Sequence, residues 1–305
     1  MRSAMTMKNG PMLGIAVMSF GIFLFMANDA LGKFLIGNYS LGQVLLLRSL
    51  AALFILLPIV ARIGFRSLFA VDKPVQLAFR STLATAEVAA FYAAVSVLPL
   101  AATLSFWLAA PIFVAALAPL LLGERVGARR WTAILIGFVG VVIVLQPSSA
   151  SFSGGATIAI FGSFAFALMM ITTRSLRGTG DAVLVFWQMM GALIAGIVLS
   201  FVSWSPIDVT GYALLSVLGV TAMVAHLCIA RAFKLADAAT IAPLQYTMLP
   251  WATLFGFVFF DEVPAATTLI GGVVIIGSGL FIFFRERQLS KRSSTISEAP
   301  LPPGA

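Results

Sequence analysis

Long apolar runs alternate with short polar segments along almost the whole chain. A run of about 20 mainly apolar residues is long enough to cross a bilayer as a helix. Bounding each run by charge, Pro, Gly or Ser predicts an all-α fold of ten transmembrane helices. The predicted spans are 11–32, 41–61, 77–97, 99–122, 131–146, 154–173, 182–203, 209–230, 236–260 and 266–284. Several linkers contain only a few residues, so neighbouring helices must run antiparallel.

Composition supports a membrane protein and argues against a soluble one. Of the 305 residues, 61% are hydrophobic and 10% are charged, and the mean hydropathy is +1.06. A soluble domain needs about a quarter charged residues for its surface. The net charge of +8 does not indicate a nucleic-acid partner, because the basic residues form no soluble face. The single cysteine, Cys228, provides neither a disulfide framework nor a metal site.

The basic residues also predict the orientation of the chain. With the N-terminus inside, all but two of the 19 Lys and Arg residues fall on the cytoplasmic side, as the positive-inside rule requires. The exceptions are Lys33, in an outer loop, and Arg48, inside a helix. Both termini are therefore expected in the cytoplasm. The first apolar run is too long for a signal peptide and is interpreted as a retained helix. Residues 285–305 are expected to form a disordered cytoplasmic tail.

A weak internal repeat relates the two halves. Sliding the chain on itself so that Glu124 falls on Glu262 also places the stretch 107–123 on 245–261, with Pro111 and Pro250 one register apart. A repeated unit of five helices must have opposite topology in its two copies, because an odd number of crossings reverses the entry side. Inverted repeats of this kind are typical of secondary transporters.

Several segments then give the chain its family resemblance. They are Leu121-Leu122-Gly123-Glu124-Arg125-Val126, Phe259-Phe260-Asp261-Glu262-Val263-Pro264, Leu47-Arg48-Ser49-Leu50, and the stretch 232–239 followed by Ala242-Pro243. With them the chain resembles the EamA type of the drug/metabolite transporter superfamily over residues 11–284. The second copy departs from the first by having Asp261 where the first has Gly123, a change expected to affect an outer loop and not the fold.

The resemblance implies two inverted five-helix repeats, 11–146 and 154–284, in a multi-pass protein of the bacterial inner membrane. It also implies a central cavity lined by the first, third, fourth, sixth, eighth and ninth spans. No cofactor and no metal are implied. The family transports amino acids, vitamins, nucleoside-like metabolites and drugs in both directions, so the resemblance predicts the fold more sharply than the substrate.

Four ionisable residues lie at helix depth, where an ionisable side chain costs at least ~2.5 kcal/mol unless it has a partner or a wet cavity. Asp29 and Arg48 lie in the outer halves of adjacent spans, so they are interpreted as a structural ion pair. Glu87 and His226 lie near the middle of the third and eighth spans, which are repeat partners. They are candidate substrate ligands or proton carriers. The alternative for each is a hydrogen bond to a neighbouring helix.

Amphipathic aromatic and amide side chains form a second set of candidates. Besides Glu87 and His226, the residues expected to bind substrate are Tyr92, Trp107, Trp187, Gln188, Gln245 and Tyr246. Buried indoles and amides need an internal hydrogen-bond partner, and they could stack on a planar solute. The alternative is anchoring at the bilayer interface, where Trp and Tyr are enriched.

Together these features predict a secondary transporter that works by alternating access, and not an enzyme. With one His and no phosphate-binding Gly loop, the sequence offers no recognisable catalytic constellation. A planar, vitamin-like solute such as riboflavin, taken up by the cell, fits the aromatic and amide content. Export of amino acids, other metabolites or drugs is the main alternative, and a non-transporting membrane enzyme or scaffold is the alternative of another class. The oligomeric state stays open, with a homodimer as one option.

Overall fold

The protein is described by a computed structural model that covers residues 10–122, 128–145, 154–176, 178–235 and 242–297. Within these ranges the chain is helical and contains no strand, which confirms the all-α prediction. The α-helices are α1 Gly10–Ile36, α2 Leu41–Ile63, α3 Pro74–Val95, α4 Leu100–Leu108, α5 Ala110–Leu122, α6 Ala128–Leu145, α7 Gly154–Ser175, α8 Asp181–Ser200, α9 Val209–Leu235, α10 Met248–Phe260 and α11 Ala266–Ser297.

Each predicted span has a helical counterpart. In the described part of the chain, five helices are long and apolar enough to cross a membrane alone, namely α1, α2, α7, α8 and α9. Shorter apolar helices form the fourth, fifth, ninth and tenth spans. The third span, α3, is less apolar because it carries Arg80 and Glu87. Residues 236–241, which the sequence places in the ninth span, lie outside the described residues.

Two spans are interrupted where the sequence contains proline. The fourth span breaks at Ala109 into α4 and α5, two residues before Pro111. Proline has no amide hydrogen and its ring clashes with the carbonyl four residues earlier, so a continuous α-helix is disfavoured there. The ninth span begins with a 3₁₀ turn, Ala242–Thr247, before α10 starts. Discontinuous helices in equivalent positions of two halves are typical of transporter binding sites.

The helix packing has the symmetry that a repeat requires. The most extensive contacts join α1 to α9, α2 to α8, α6 to α11 and α3 to α7. In span numbers these are the pairs 1–8, 2–7, 5–10 and 6–3. Exchanging each span with its repeat partner converts 1–8 into 6–3 and leaves 2–7 and 5–10 unchanged. The packing thus supports the two-repeat architecture, and every one of these four interfaces joins one repeat to the other.

Glycines bring the backbones of α2 and α8 into close contact. A Cβ on Gly196 would lie 2.4 Å from the backbone nitrogen of Leu46, and one on Gly42 would lie 2.5 Å from the backbone carbonyl carbon of Leu199. Both distances are too short for any side chain. Small residues permit such close packing between membrane helices, so α2 and α8 form a tightly fitted pair.

Capping interactions fix the start of α2 at the predicted outer end of the bundle. Ser40 and Gln43 form a capping box, in which the Gln43 backbone N–H donates to Ser40 Oγ at 3.3 Å and the Ser40 N–H donates to Gln43 Oε1 at 3.0 Å. Gln43 Nε2 also donates to the Ser205 carbonyl at 2.6 Å. The start of α2 is thereby joined to the segment between α8 and α9.

The C-terminal segment differs from the expected disorder. Helix α11 continues as far as Ser297, so residues 285–297 are helical, and residues 298–305 lie outside the described part of the chain. The stretch 285–292 contains Arg, Glu, Gln, Leu and Lys, which favour helix, so the backbone can extend α11 beyond its apolar part.

Candidate functional site

A cluster of ionisable side chains lies in the interior of the bundle, among α1, α2, α3 and α9. Asp29 comes from α1, Arg48 from α2, Glu87 and Tyr92 from α3, and His226 from α9. Arg48 is close enough to Asp29, Glu87 and His226 to act on each of them electrostatically. We call these five residues the central cluster.

Arg48 is held by an aromatic partner and not by a carboxylate. Its Nη1 donates to the Tyr92 hydroxyl at 2.6 Å, and the guanidinium carbon lies 5.3 Å from the centre of the Tyr92 ring. Tyr92 is only 1% exposed and packs against Gly32 of α1, where a Cβ would lie 2.5 Å from the ring. The missing side chain at position 32 therefore makes room for the ring that positions Arg48.

Asp29 does not form the expected ion pair. Among the described residues the one ion pair within 4.0 Å joins Lys33 to Glu262, so Asp29 and Arg48 are not in direct contact. Asp29 is 5% exposed, and its buried Oδ2 has no hydrogen-bond partner. The interpretation as a contact ion pair is therefore wrong, although Arg48 still acts electrostatically on Asp29.

Glu87 and Trp107 form one unit across α3 and α4. The indole Nε1 of Trp107 donates to Glu87 Oε1 at 2.7 Å. Trp107 is seated against Gly162 of α7, where a Cβ would lie 2.6 Å from the indole, and its ring meets Phe91 edge-on at 5.3 Å. The glycine and the carboxylate together fix the orientation of the indole beside the central cluster.

His226 of α9 packs beside α1, about one helical turn from Asp29. Its imidazole contacts the Phe25 ring edge-on, with ring centres 5.3 Å apart. The two helices are joined at Asn28, whose Nδ2 donates to the Leu218 carbonyl at 2.6 Å and to Thr221 Oγ1 at 2.9 Å. His226 is thus the member of the central cluster that the second repeat contributes.

Two of the predicted site residues lie elsewhere, at the predicted inner end. Trp187 Nε1 donates to the Leu68 carbonyl at 2.9 Å, and its ring packs on Phe69. Gln188 accepts a hydrogen bond from Arg80 at 3.3 Å. Hydropathy gives the depth of a residue but not the neighbour that its side chain faces. The sequence therefore could not show that Trp187 and Gln188 point away from the other candidates.

Arg80 is buried, although it is one of the basic residues that the positive-inside rule places on the cytoplasmic side. It is 6% exposed, and its guanidinium donates to Thr173 Oγ1 at 2.7 Å and to the Leu184 carbonyl at 3.2 Å, besides Gln188. Its position inside the predicted third span was the available signal. The acceptors are distributed over α7 and α8, so Arg80 of α3 joins three helices.

Gln245 and Tyr246 lie in the 3₁₀ turn that precedes α10. Both are half-buried, and the Tyr246 ring packs closely on α11 at Gly279, where there is no side chain to obstruct it. The structure therefore places Tyr246 against the tenth span. Their role as substrate ligands stays a prediction.

Comparison with known proteins then gives the family. The sequence pattern of the EamA-like transporter family matches residues 12–146 and 153–284. The chain belongs to the EamA-like transporter family. The two matches correspond to two copies of the family unit, which agrees with the packing symmetry. As a member of this family the protein is a multi-pass membrane transporter of a small molecule and not an enzyme.

Curated relatives include two kinds of named transporter. The chain is 25% identical over 282 residues to an S-adenosylmethionine uptake transporter of Rickettsia bellii, covering 92% of this chain and 97% of the relative. It is 28% identical over 239 residues to a riboflavin transporter of Rhizobium johnstonii, covering 77% and 78%. A solved crystal structure aligns with a TM-score of 0.61 at 16% identity, covering 90% of this chain and 98% of that one, which supports the fold.

A second charged cluster lies at the predicted outer end of this EamA-like transporter. Lys33 of α1 forms a short ion pair with Glu262, and its Nζ also donates to the Leu98 carbonyl at 2.9 Å. The other Glu262 oxygen accepts from the Leu100 backbone N–H at 2.8 Å, so a carboxylate lies at the N-terminus of α4, where the helix dipole favours it. We call Lys33, Glu262 and their partners the outer cluster.

The end of α10 explains why Glu262 faces inward. Asp261 adopts the left-handed conformation, with φ of 53°, and the Glu262 N–H donates back to the Gly256 carbonyl at 3.0 Å. Asp is among the few residues that tolerate this conformation. The departure from the family pattern at Asp261 is thus compatible with the turn. Glu124, the repeat partner of Glu262, lies outside the described residues.

Proposed function

We propose that this transporter imports a small heteroaromatic metabolite across the bacterial inner membrane by alternating access, with both termini in the cytoplasm. The observation that carries the proposal is the central cluster, in which ionisable side chains from both repeats meet inside a membrane protein with much of their hydrogen-bonding capacity unused. Polar groups at this depth are costly, and their commonest use is to bind or conduct a solute or ion.

The position of the cluster supports alternating access. It lies where α1 and α9 meet α2 and α3, and each of the main interfaces joins one repeat to the other. Movement of one repeat against the other would change which end of the site is open. The outer cluster joins α1, α4 and the end of α10, and such a contact would hold the predicted outer end together in one of the two states.

The aromatic wall and the relatives support this substrate class. Riboflavin and S-adenosylmethionine differ in charge, but both contain a planar fused heterocycle joined to a polar chain. Trp107, oriented by Glu87 and supported by Phe91, offers an indole beside the polar cluster. An aromatic face beside polar groups suits a solute that combines a ring with a polar chain.

Uptake into proteoliposomes tests this proposal directly. Purified full-length protein is reconstituted, and entry of labelled riboflavin and labelled S-adenosylmethionine is followed. We expect saturable entry of at least one of them, and a strong reduction in the Glu87→Gln variant. The Asp72→Asn variant is the matched control, because it neutralises an exposed carboxylate in the linker before α3. Entry of both solutes at the rate of protein-free liposomes would contradict the proposal.

Direction and coupling need separate measurements. Cells that lack or overproduce the protein should differ in initial uptake from the medium, whereas a faster loss of solute from preloaded cells would indicate export instead. Glu87 and His226 could also carry protons. Proton coupling predicts that collapse of an imposed pH gradient slows uptake, and unchanged uptake would exclude it.

A further inference from the structure

The central cluster has unused hydrogen-bonding capacity of a particular kind. Arg48 has five N–H donors, and in the described part of the chain its one hydrogen bond is to Tyr92. Asp29 makes none within the same ranges. Glu87 uses Oε1 for the Trp107 indole, and its Oε2 has no protein donor among the described residues. Donors and acceptors therefore stand open side by side.

The pattern of open groups defines a complementary ligand. Free guanidinium donors bind a carboxylate in a planar, two-pronged arrangement. A buried carboxylate oxygen without a donor, such as Asp29 Oδ2, is best satisfied by an ammonium group. Arg48 and Asp29 are more than 4.0 Å apart, so neither neutralises the other by contact. An α-amino acid head carries a carboxylate and an ammonium on one carbon and would bridge the two side chains.

The balance of charge adds a second requirement. Two acidic side chains, Asp29 and Glu87, lie within electrostatic range of one basic side chain, Arg48. Once the head group has paired with Arg48 and Asp29, the open oxygen of Glu87 is left for a further positive charge on the solute. Because Glu87 also holds the Trp107 indole, that charge would lie next to the aromatic wall.

We propose that the central cluster is a binding site for the amino-acid head of a positively charged heteroaromatic metabolite. Arg48 binds the carboxylate, Asp29 binds the ammonium, and Glu87 neutralises the additional charge, such as a sulfonium. This inference rests on the proposed function and narrows it. Riboflavin has neither a carboxylate nor an ammonium and would leave Arg48 and Asp29 unsatisfied, whereas S-adenosylmethionine has all three charged groups.

Competition between close analogues tests the assignment without any variant. Uptake of labelled S-adenosylmethionine by proteoliposomes is measured against unlabelled competitors. Decarboxylated S-adenosylmethionine lacks the carboxylate, and S-adenosylhomocysteine lacks the sulfonium charge. We expect each to compete about tenfold less well than the parent compound, since each loses one charge-assisted interaction. Riboflavin should compete least. Equal competition by all four compounds would overturn the inference.

Two variants then locate each preference. In Arg48→Gln the parent compound and its decarboxylated analogue should compete equally, while the preference over S-adenosylhomocysteine remains. In Glu87→Gln the parent compound and S-adenosylhomocysteine should compete equally, while the preference over the decarboxylated analogue remains. Residues with a merely structural role would lower transport of all analogues alike and leave their ratios unchanged, which would count against the assignment. Size-exclusion profiles identify variants that have failed to fold. The Asp72→Asn variant controls for the loss of a carboxylate away from the cluster.

A binding measurement separates this inference from the proposed function. S-adenosylmethionine should raise the melting temperature of the detergent-solubilised protein, and decarboxylated S-adenosylmethionine should do so about tenfold less potently. One outcome is that riboflavin uptake is saturable, while S-adenosylmethionine neither inhibits it nor raises the melting temperature. That outcome would overturn the inference and leave heteroaromatic import intact. Absence of transport and binding of every compound would overturn both.

Discussion

The central cluster and the outer cluster both hold charges inside the bundle, but they differ in how completely those charges are satisfied. In the outer cluster Lys33 and Glu262 neutralise each other, and both also bond to the backbone near the start of α4. In the central cluster Asp29 has no hydrogen-bond partner and Arg48 has one, among the residues described. A satisfied cluster stabilises one arrangement of helices, whereas an unsatisfied one is ready for a ligand.

Asp29→Asn should have the largest effect and tests the open side of this contrast directly. We expect the uptake rate to fall by about 10- to 100-fold, because a charge-assisted contact to the solute is lost. Stability should stay equal or increase, since the substitution removes a buried carboxylate that has no partner. Initial uptake rates and melting temperatures check this. A variant that is both inactive and strongly destabilised would make Asp29 structural.

Trp107→Phe compared with Trp187→Phe sharpens the contrast with one residue type in two environments. Loss of the Trp107 indole N–H frees Glu87 Oε1 and should reduce uptake by about tenfold. Trp187 bonds to a linker carbonyl at the predicted inner end, so its replacement should change uptake less than about twofold. Equal losses in the two variants, measured at matched protein density, would indicate that the central cluster has no special role.

Glu262→Gln and Lys33→Gln should have smaller effects, and these should be on stability. Each should lower the free energy of unfolding by about 1 kcal/mol, because the pair is only partly shielded from solvent. The double variant should be less destabilised than the sum of the two, and a double-mutant cycle measures this coupling. Strict additivity would show that the ion pair contributes nothing. Discrimination between analogues should be unchanged.

The Tyr39–Asp208 contact between two linkers at the predicted outer end provides the smallest effect. The pKa of Asp208 is lowered by the Gly211 backbone N–H and by the Tyr39 hydroxyl, which donate to Oδ1 at 2.8 and 3.1 Å. The folded-state pKa is therefore below the unfolded value of about 4. Its stabilising effect is present above that value and is lost as the pH falls through the folded pKa. The range from pH 5 to 8 lies about a unit or more above the unfolded pKa. Asp208→Asn should therefore leave the pH dependence of stability unchanged in that range. A difference between the melting curves of the two proteins there would contradict this prediction.

Much of the fold followed from hydrophobic pattern alone. Helix positions such as α2 and α9 were predicted closely because apolar length and flanking polar residues determine where a span begins and ends. Lys33 was also signalled, as an exception to the segregation of basic residues, although its partner was not. Glu262 was recognised only as a repeat landmark, since its orientation depends on the backbone conformation at Asp261.

The candidate site was predicted less well, for a geometric reason. The sequence shows how deep a residue lies along its helix, and this placed Asp29 and Arg48 in the outer halves of adjacent spans and Glu87 near the middle of the third. It does not show which rotamer or neighbouring helix completes a contact. Arg48 pairs with Tyr92 because Gly32 leaves space for the ring, and Trp187 faces a linker because of its position around α8.

The exchange symmetry of the packing has a consequence for how substitutions should act in pairs. The α1–α9 and α3–α7 interfaces are exchanged by the repeat symmetry. When the site switches from one side of the membrane to the other, each interface would therefore adopt the geometry that the other had before. A substitution that loosens one seam should then bias the resting population toward one side of the membrane. The matching substitution in the other seam should bias it toward the opposite side, and the two together should cancel.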